Sequence, residues 1–413
     1  MELGAAYASR MRVLKVVQSY FPFQERGGTA FKVRAIARGL ARRGYDVTVL
    51  TADLGIPKES SACALKKSGW GWLSGEDAVE TVYLPTVAHY RALTFNPRVV
   101  RFCRASLGRF DVVHVYGLYD LLGPVVGYFC QRRGIRYVLE PMGMYRPIVR
   151  SFALKRLYHR LFGKRLVAGA RFVVATSEQE RLELVDSGLD PSRIVIRRNG
   201  VEAPDILPER GGFRRQWKIA RAWKLILFLG RVISKKRPDL LLQAFAAWRE
   251  QDRKRGNSVL VIAGPEERDG FAAHLKAMAK SLGVSENVFF VGPLYNQEKW
   301  QAYRDADVFV LPSQNENFGN TAAESAACGT PVIVTNRCGI APFVEDAGMV
   351  VAPKPGEIVQ ALTRILENAV FNGRCRQGCA EMAKRLSWDA PLDESEQLYQ
   401  RCVSSPIPQE VLS

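Results

Sequence analysis

Usable cysteine and histidine are the first things this sequence lacks. Its eight cysteines (Cys63, Cys103, Cys130, Cys328, Cys338, Cys375, Cys379 and Cys402) include no C-x-x-C pair, and four histidines are too few to complete a Cys/His zinc site. Scattered thiols of this kind suit a reducing compartment, so a cytoplasmic protein is expected. Long apolar runs are also missing: the longest, Leu121 to Cys130, is well short of the ~20 residues that a spanning helix needs. The first residues, M-E-L-G-A-A-Y-A-S-R, lack the order of charge, apolar core and cleavage site that directs export. Neither a membrane span nor secretion is therefore expected. Short-period repeats and low-complexity tracts are absent too, which excludes solenoid and linker-like chains.

What is present is ordinary globular composition over 413 residues, 47% hydrophobic and 24% charged, enough chain for two or three domains with their own cores. The net charge of +18 is unevenly placed. Residues 1 to 200 carry 32 lysines and arginines against 16 acids, whereas residues 201 to 413 carry 27 against 25. Two stretches concentrate the excess. Residues 81 to 110 hold Arg91, Arg98, Arg101, Arg104 and Arg109 with no acid, and residues 141 to 177 hold a series of lysines and arginines with none. The N-terminal half is expected to meet something anionic.

Strand and helix patterns alternate along the chain. Val13 to Val17 precedes a turn-rich segment with Gly27-Gly28, then a helix from about Thr29 to Arg43 that Gly44 ends, then a strand from Tyr45 to Leu50. Apolar runs at Val112 to Val115, Tyr137 to Leu139, Phe172 to Ala175 and Ile194 to Ile196 continue this rhythm, and a break follows at Asn199-Gly200. It resumes at Leu225 to Leu229, Val259 to Ala263, Val288 to Val291, Val308 to Leu311 and Val332 to Val334. The reading is an α/β chain of two Rossmann-like, doubly wound parallel-sheet domains in tandem. Their limits are placed at 1–205 for the first domain and 206–385 for the second, with 386–413 left as a C-terminal helix and tail. Ligands of such sheets bind outside the carboxyl ends of the strands, so one cleft between two facing domains is expected.

Chemistry concentrates in two segments. Ser313 to Thr335, S-Q-N-E-N-F-G-N-T-A-A-E-S-A-A-C-G-T-P-V-I-V-T, leaves a strand, turns at Gly319 and starts a helix near Thr321. A strand-loop-helix junction aims free N–H groups and a helix dipole at one point, which suits a phosphate flanked by Glu316 and Glu324. Thr321-Ala322-Ala323-Glu324 also spells a capping box, in which Glu324 would only cap its own helix. The second segment is G-R-V-I-S-K-K-R from Gly230. Arg231 follows the first strand of the second domain and Lys235-Lys236 precede its first helix, so all three can neutralise a diphosphate. A solvated basic turn is the plainer reading of K-K-R. Asp305-Ala306-Asp307 offers the D-x-D of metal-dependent transferases but lies before a strand, at the wrong end of the sheet for a ligand.

G-R-x4-K before D-x-L-L-x-A-F, then V-I-A-G, V-G, A-D-V-F-V-L-P-S, E-x-F-G-x4-E and G-T-P-V-I together resemble glycosyltransferase family 4, the retaining nucleotide-sugar transferases of GT-B fold. The N-terminal half is similar as well, through G-G-T-A-F, D-V-V-H-V-Y-G, P-M-G-M, A-T-S-E and N-G-V-E, and the likeness spans nearly the whole chain. It implies an acceptor-side role for the first domain, a nucleotide-sugar donor role for the second, and a C-terminal helix that packs back on the first. It also implies that Glu324 holds the ribose hydroxyls of the donor nucleotide and that Arg231 and Lys236 grip its diphosphate. Glu316, with the backbone of Asn317, Phe318, Gly319 and Asn320, would contact the transferred sugar, and Gly28 would admit the donor phosphate. The family's D-x-x-H-x-H strand commonly turns its second His toward the sugar. Here His114 keeps the first place and Tyr116 occupies the second, so both are candidates, although a Tyr at a strand end more commonly packs in a core.

The resemblance further implies a UDP-sugar donor, with GDP-sugar as an alternative, no bound cofactor and no metal. The helical pattern over Ser151 to Val167 sets Leu154, Leu157, Tyr158 and Leu161 on one face and Arg156, Arg160 and Lys164 on another. That pattern suits either an anionic membrane surface or a helix covering its own sheet. A peripheral enzyme acting on an anionic or lipid-linked glycan acceptor at the inner face of the cell membrane is the expectation. Another GT-B sugar-nucleotide enzyme with a soluble acceptor is the alternative. A basic nucleic-acid-binding protein is the alternative of a different class, but no RNP-type string or helix-turn-helix pattern supports it, so no nucleic acid is expected.

Overall fold

The computed structural model describes residues 10–21, 28–53, 65–90, 93–145, 152–252, 255, 257–266 and 270–404. Cys63, Arg91, Arg150, Ser151 and Gly27 of the G-G pair lie outside them. The chain forms two units, one of residues 1–198 with 388–413 and one of residues 199–387. The division falls at Arg198/Asn199. The Val201 N–H donates to the Leu386 carbonyl, 2.7 Å, and ties the start of the second unit to its own last helix.

The first unit contains β1 (Arg12–Val16), α1 (Gly28–Arg42), β2 (Asp46–Ala52), β3 (Lys66–Lys67), β4 (Trp72–Glu76), β5 (Val79–Leu84), β6 (Ala88–Tyr90), β7 (Leu93–Phe95), α2 (Arg98–Ser106) and β8 (Val112–Tyr116). It continues with α3 (Leu122–Arg132), β9 (Tyr137–Glu140), α4 (Phe152–Tyr158), one π-helical turn at His159–Gly163, α5 (Lys164–Gly169), β10 (Phe172–Ala175), α6 (Glu178–Asp186) and β11 (Ile194–Ile196). Its sheet order is β11-β10-β9-β8-β1-β2-β5-β4-β3, parallel from β11 to β5, with β4 and β3 added antiparallel. β6 and β7 make a separate antiparallel hairpin.

The second unit holds α7 (Gly212–Gln216), β12 (Lys224–Leu229), α8 (Pro238–Glu250), β13 (Ser258–Ala263), α9 (Phe271–Ser281), β14 (Val288–Gly292), α10 (Asn296–Asp305) and β15 (Val308–Leu311). Then come α11 (Asn320–Ala327), β16 (Val332–Thr335), β17 (Gly348–Val351), α12 (Pro355–Glu367) and α13 (Ala369–Arg385). The order β14-β13-β12-β15-β16-β17 is wholly parallel. Counted along the chain it is 3-2-1-4-5-6, the doubly wound order, and the parallel part of the first sheet obeys the same rule. The last helix, α14 (Asp389–Ser404), belongs to the first unit and packs on α1 and β8. Among the described residues no helix is long and apolar enough to cross a membrane.

Both sheets are apolar on two faces because helices cover both. In β12, Leu225, Leu227 and Leu229 enter one core while Ile226 and Phe228 enter the other, the period of two that a strand imposes. In β1, Leu14 and Val16 face the α2 and α3 side, while Val13 faces α1 and α14. The same alternation turns Lys15 toward α1 and α14, together with His114 and Tyr116 of β8 and Glu140 of β9. Doubly wound order creates a crevice at the carboxyl ends of the strands where the winding reverses, between β1 and β8 in one unit and between β12 and β15 in the other.

Candidate active site

In the second unit both arms of that crevice carry polar side chains. Gly230 follows β12, and a Cβ on neighbouring Gly264, whose φ is +142°, would collide with the Gly230 carbonyl, so backbone packs on backbone here. Exposed Arg231 follows, then a 3₁₀ turn at Ser234–Lys236. Across the crevice the loop after β15 brings Glu316 to Lys236, whose Nζ donates to Oε2 at 2.6 Å. The Gln314 N–H donates to the Lys235 carbonyl and joins the two loops. Burial would push the Glu316 carboxyl up, but Lys236, with Lys235 and Arg231 behind it, outweighs that and holds it below the ordinary range.

The Glu316 loop is held rigidly. Its N–H donates to the Arg337 carbonyl, and its carbonyl accepts from Gly339. Phe318 is buried in the core and its carbonyl accepts from Ile340, while Asn317 is half-buried. Gly319 then starts α11 with φ +115°, and a Cβ there would come within 2.9 Å of Ile340. No other residue fits both that left-handed conformation and that space. The Asn320 side-chain oxygen accepts from Asn199 Nδ2 at 3.1 Å. Ser313 Oγ and Thr321 Oγ1 are buried with no hydrogen-bond partner.

Glu324 does not cap its helix. The N-cap is Gly319, which offers no side chain, so the box spelled by Thr321 to Glu324 is two residues out of place. The Glu324 carboxylate instead reaches α10, where Lys299 Nζ donates to Oε1 and the Tyr303 hydroxyl to Oε2, both at 2.9 Å. Nothing in the sequence pattern singles out Lys299 or Tyr303; only the packing of α10 on α11 reveals them. The D-x-D carboxylates are engaged elsewhere: Asp305 accepts from the Gly211 and Arg214 N–H groups, and Asp307 from Arg214 and the Leu225 N–H. They fasten α7 and the start of β12 at the amino end of the sheet.

The first unit behaves differently. Gly28 lies exposed at the start of α1, where a ligand can approach. Tyr116, by contrast, is only 2% exposed and His114 is fully buried. Their rings stack at 4.1 Å beneath α1 and α14. The Tyr116 hydroxyl accepts from Lys15 Nζ at 2.9 Å, the same Nζ donates to the Tyr399 hydroxyl at 3.0 Å, and His114 Nδ1 bonds that hydroxyl at 2.7 Å. Glu140, also buried, pairs with Lys32 and, at 2.6 Å, with Arg197. Burial pushes the Lys15 amine and the His114 imidazole well down. Burial would raise Glu140, but Arg197 and then Lys32 draw it down to about 2. The place that the sequence resemblance assigned to a sugar-facing side chain is thus filled by a packed one. The alternation that sets His114 and Tyr116 on one face turns that face inward.

The chain matches two known families over these same units: "Glycosyl transferase 4-like domain" over residues 27–200 and "Glycosyl transferases group 1" over residues 210–385. Over 312 residues it is 33% identical to D-inositol 3-phosphate glycosyltransferase of Thermomonospora curvata, covering 71% of this chain and 72% of that one. Its fold is similar to that of the catalytic domain of starch synthase IV from Arabidopsis thaliana bound to ADP and acarbose, with TM-score 0.75, 15% identity, and 96% and 100% of the two chains covered. It is also similar to Anabaena HepE in complex with UDP and glucose, with TM-score 0.71, 15% identity, and 96% and 100% covered. The chain therefore belongs to glycosyltransferase family 4 and is an enzyme of GT-B fold.

Proposed function

We propose that this glycosyltransferase moves a sugar, with retention at the anomeric carbon and without a metal, from a nucleoside diphosphate, UDP ahead of GDP, to an anionic, lipid-linked glycan acceptor. One observation carries the donor reading: Arg231, Lys235 and Lys236 converge with Glu316 and the start of α11 on the crevice between β12 and β15. Breaking the bond from the anomeric carbon to phosphate builds negative charge on the leaving diphosphate. Arg231, Lys236 and the α11 N–H groups would meet that charge as it develops. Glu324 would take the ribose hydroxyls, and the backbone of Asn317 to Asn320 would line the sugar. The acceptor oxygen attacks the same face that the phosphate leaves, and its proton passes to the departing phosphate oxygen, so no protein base is required. His114 and Tyr116 then serve the framework, and Gly28 keeps the phosphate approach open.

A thermal-shift panel of UDP, GDP, ADP and their sugar conjugates, in EDTA, tests this. A ligand at 100 times its Kd adds about 2.7 kcal/mol to stability. The expected result is stabilisation of the wild type by one diphosphate and of neither Arg231→Ala nor Glu324→Ala. Equal stabilisation of all three proteins would overturn the site. Salt-dependent binding of nucleic acid with no response to any diphosphate would favour the different-class reading.

The acceptor reading draws on α4, the π-helical turn and α5. Leu154, Leu157, Leu161 and Phe162 are 55%, 52%, 57% and 40% exposed, among exposed Arg156, Arg160, Lys164 and Arg165. Only Tyr158 of the apolar face turns inward, its hydroxyl donating to the Asp120 carbonyl at 2.7 Å. These leucines do not cover the sheet, and an apolar stripe within a basic field fits the cytoplasmic leaflet of an anionic membrane. The named relative points to a second reading, a soluble phosphorylated acceptor. Cosedimentation with phosphatidylglycerol vesicles separates the two: Lys155, Arg156 and Arg160 changed to Gln should release a bound wild type. A wild type that ignores vesicles favours the soluble acceptor.

A further inference from the structure

The carboxylate of Glu324 is gripped at both oxygens by one neighbouring helix. Lys299 and Tyr303 stand four residues apart on α10 and so share a face. One donates to Oε1 and the other to Oε2. Tyr303 is fully buried, its ring set edge-on against Phe309 at 5.7 Å, and its own carbonyl accepts from Thr330 Oγ1 at 2.7 Å. Lys299 lies over the Trp300 ring, 4.3 Å from its centre. Neither donor is free to follow the carboxylate; it must stay where they hold it. Yet the Glu324 side chain keeps 20% of its surface open, so its remaining lone pairs can be reached.

A ribose offers two adjacent hydroxyls at a fixed separation. A carboxylate accepts both only if its plane is set beforehand, since a freely turning one loses that rotation on binding. We infer that Tyr303 and Lys299 are positioning residues that fix the plane of Glu324, and that they make this enzyme discriminate ribonucleotide from 2′-deoxyribonucleotide donors. The inference rests on the donor reading above. Burial, reinforced by Glu324, pushes the Tyr303 phenol far above its ordinary range, so it remains a hydrogen-bond donor at every working pH. Lys299 adds a charge-assisted hydrogen bond to the other oxygen.

The test is the ratio of Kd for 2′-deoxy-UDP to Kd for UDP, or for the GDP or ADP pair if the thermal panel selects that base. A hydrogen bond to a charged acceptor predicts a ratio of roughly 10 to 100 for the wild type. Tyr303→Phe keeps the ring packing and should lower the ratio to a few fold, raising KM for the donor far more than it lowers kcat. Lys299→Met, at a half-buried place that tolerates change, should lower the ratio as well and carries the test alone if the Tyr303 variant does not fold. A ratio unchanged in both variants overturns the inference, and so does an equal loss of affinity for both nucleotides, which is what simple loosening of α10 would give. Glu324→Ala separates this from the parent reading. If it too keeps the wild-type ratio, Glu324 is not the ribose ligand; if it loses the ratio while the other two keep it, only the bracket falls.

Discussion

The two domains share one winding rule and use their polar side chains in opposite ways. β8 and β15 are each the fourth strand of their domain's winding, and each carries a motif of the family at its carboxyl end. In the first domain H-x-Y turns inward: Lys15 and His114 bond the Tyr116 and Tyr399 hydroxyls, and Glu140 pairs with Lys32 and Arg197, all beneath α1 and α14. In the second, E-x-F-G turns outward, and the pairs Glu316–Lys236 and Glu324–Lys299 stay partly open to solvent. A buried ion pair gains little over an apolar one and costs a great deal when broken, whereas a half-exposed pair adds little to stability and can exchange partners with a ligand. Equivalent places in one topology thus become a frame in one domain and, on the donor reading proposed above, a site in the other. Which face of the strand end carries the polar groups decides between them.

The largest expected effect tests the frame. Glu140→Gln leaves Lys32 and Arg197 buried without their anion and should cost about 3–5 kcal/mol in urea denaturation. The sign with pH is set by the depressed carboxyl: its stabilisation is complete above its unfolded value, near pH 4.5, and disappears as pH falls toward 2. The variant should lack that acid limb. A loss below about 1 kcal/mol would remove the contrast between the domains. Next comes the site. Arg231→Ala should lower kcat/KM by roughly 10²–10³, or about 3–4 kcal/mol of transition-state binding, while stability moves by less than about 0.5 kcal/mol. An Arg231 variant that unfolds as readily as the Glu140 variant would mean that the exposed pole is also frame.

The contrast was only half legible beforehand. Parallel strands announce themselves because both faces are apolar, and Val13 to Val17, Leu225 to Leu229 and Val308 to Leu311 could be little else. β4 could not be read this way, since W-L-S-G-E mixes types, and β3 is a pair of lysines. The buried network was invisible for another reason: Lys15 and Tyr399 lie 384 positions apart, and only the return of α14 joins them. Glu316 and Lys236 were legible as candidates because strand-end motifs mark where a ligand approaches. Glu324 was legible as a residue and ambiguous as a role, because local spacing spelled a cap that Gly319, starting the helix without a side chain, does not make.

Asp120 sharpens the comparison at smaller scale, being a carboxylate at the carboxyl end of β8 that the first domain has buried. Burial drives it up to about 6 even though Oδ1 accepts the Gly123 N–H at 2.7 Å. A raised acid binds its proton more tightly when folded, so stability should fall as pH rises from about 4 to about 6 and stay lowered above that. Asp120→Asn retains an acceptor for Gly123 and removes the charge. It should gain about 1–2 kcal/mol at pH 7.5 and nothing at pH 4, measured by denaturation at both. Equal stability of variant and wild type at pH 7.5 would show that the end of β8 is better solvated than its packing indicates.

The smallest effect decides the most. Tyr116→Phe removes one hydroxyl from the Lys15 amine, which keeps its bond to Tyr399, so the loss should be about 1 kcal/mol. Burial pushes the Lys15 amine well down, which eases the loss of one partner. If Tyr116 is frame, donor affinity and kcat should both stay within about twofold, the limit for a group that acts only through packing. A tenfold fall in kcat with stability intact would place the hydroxyl against the sugar in the working enzyme. The first domain would then turn its β8 motif to the ligand as the second turns its own, and the difference between the domains would be one of conformation rather than of construction.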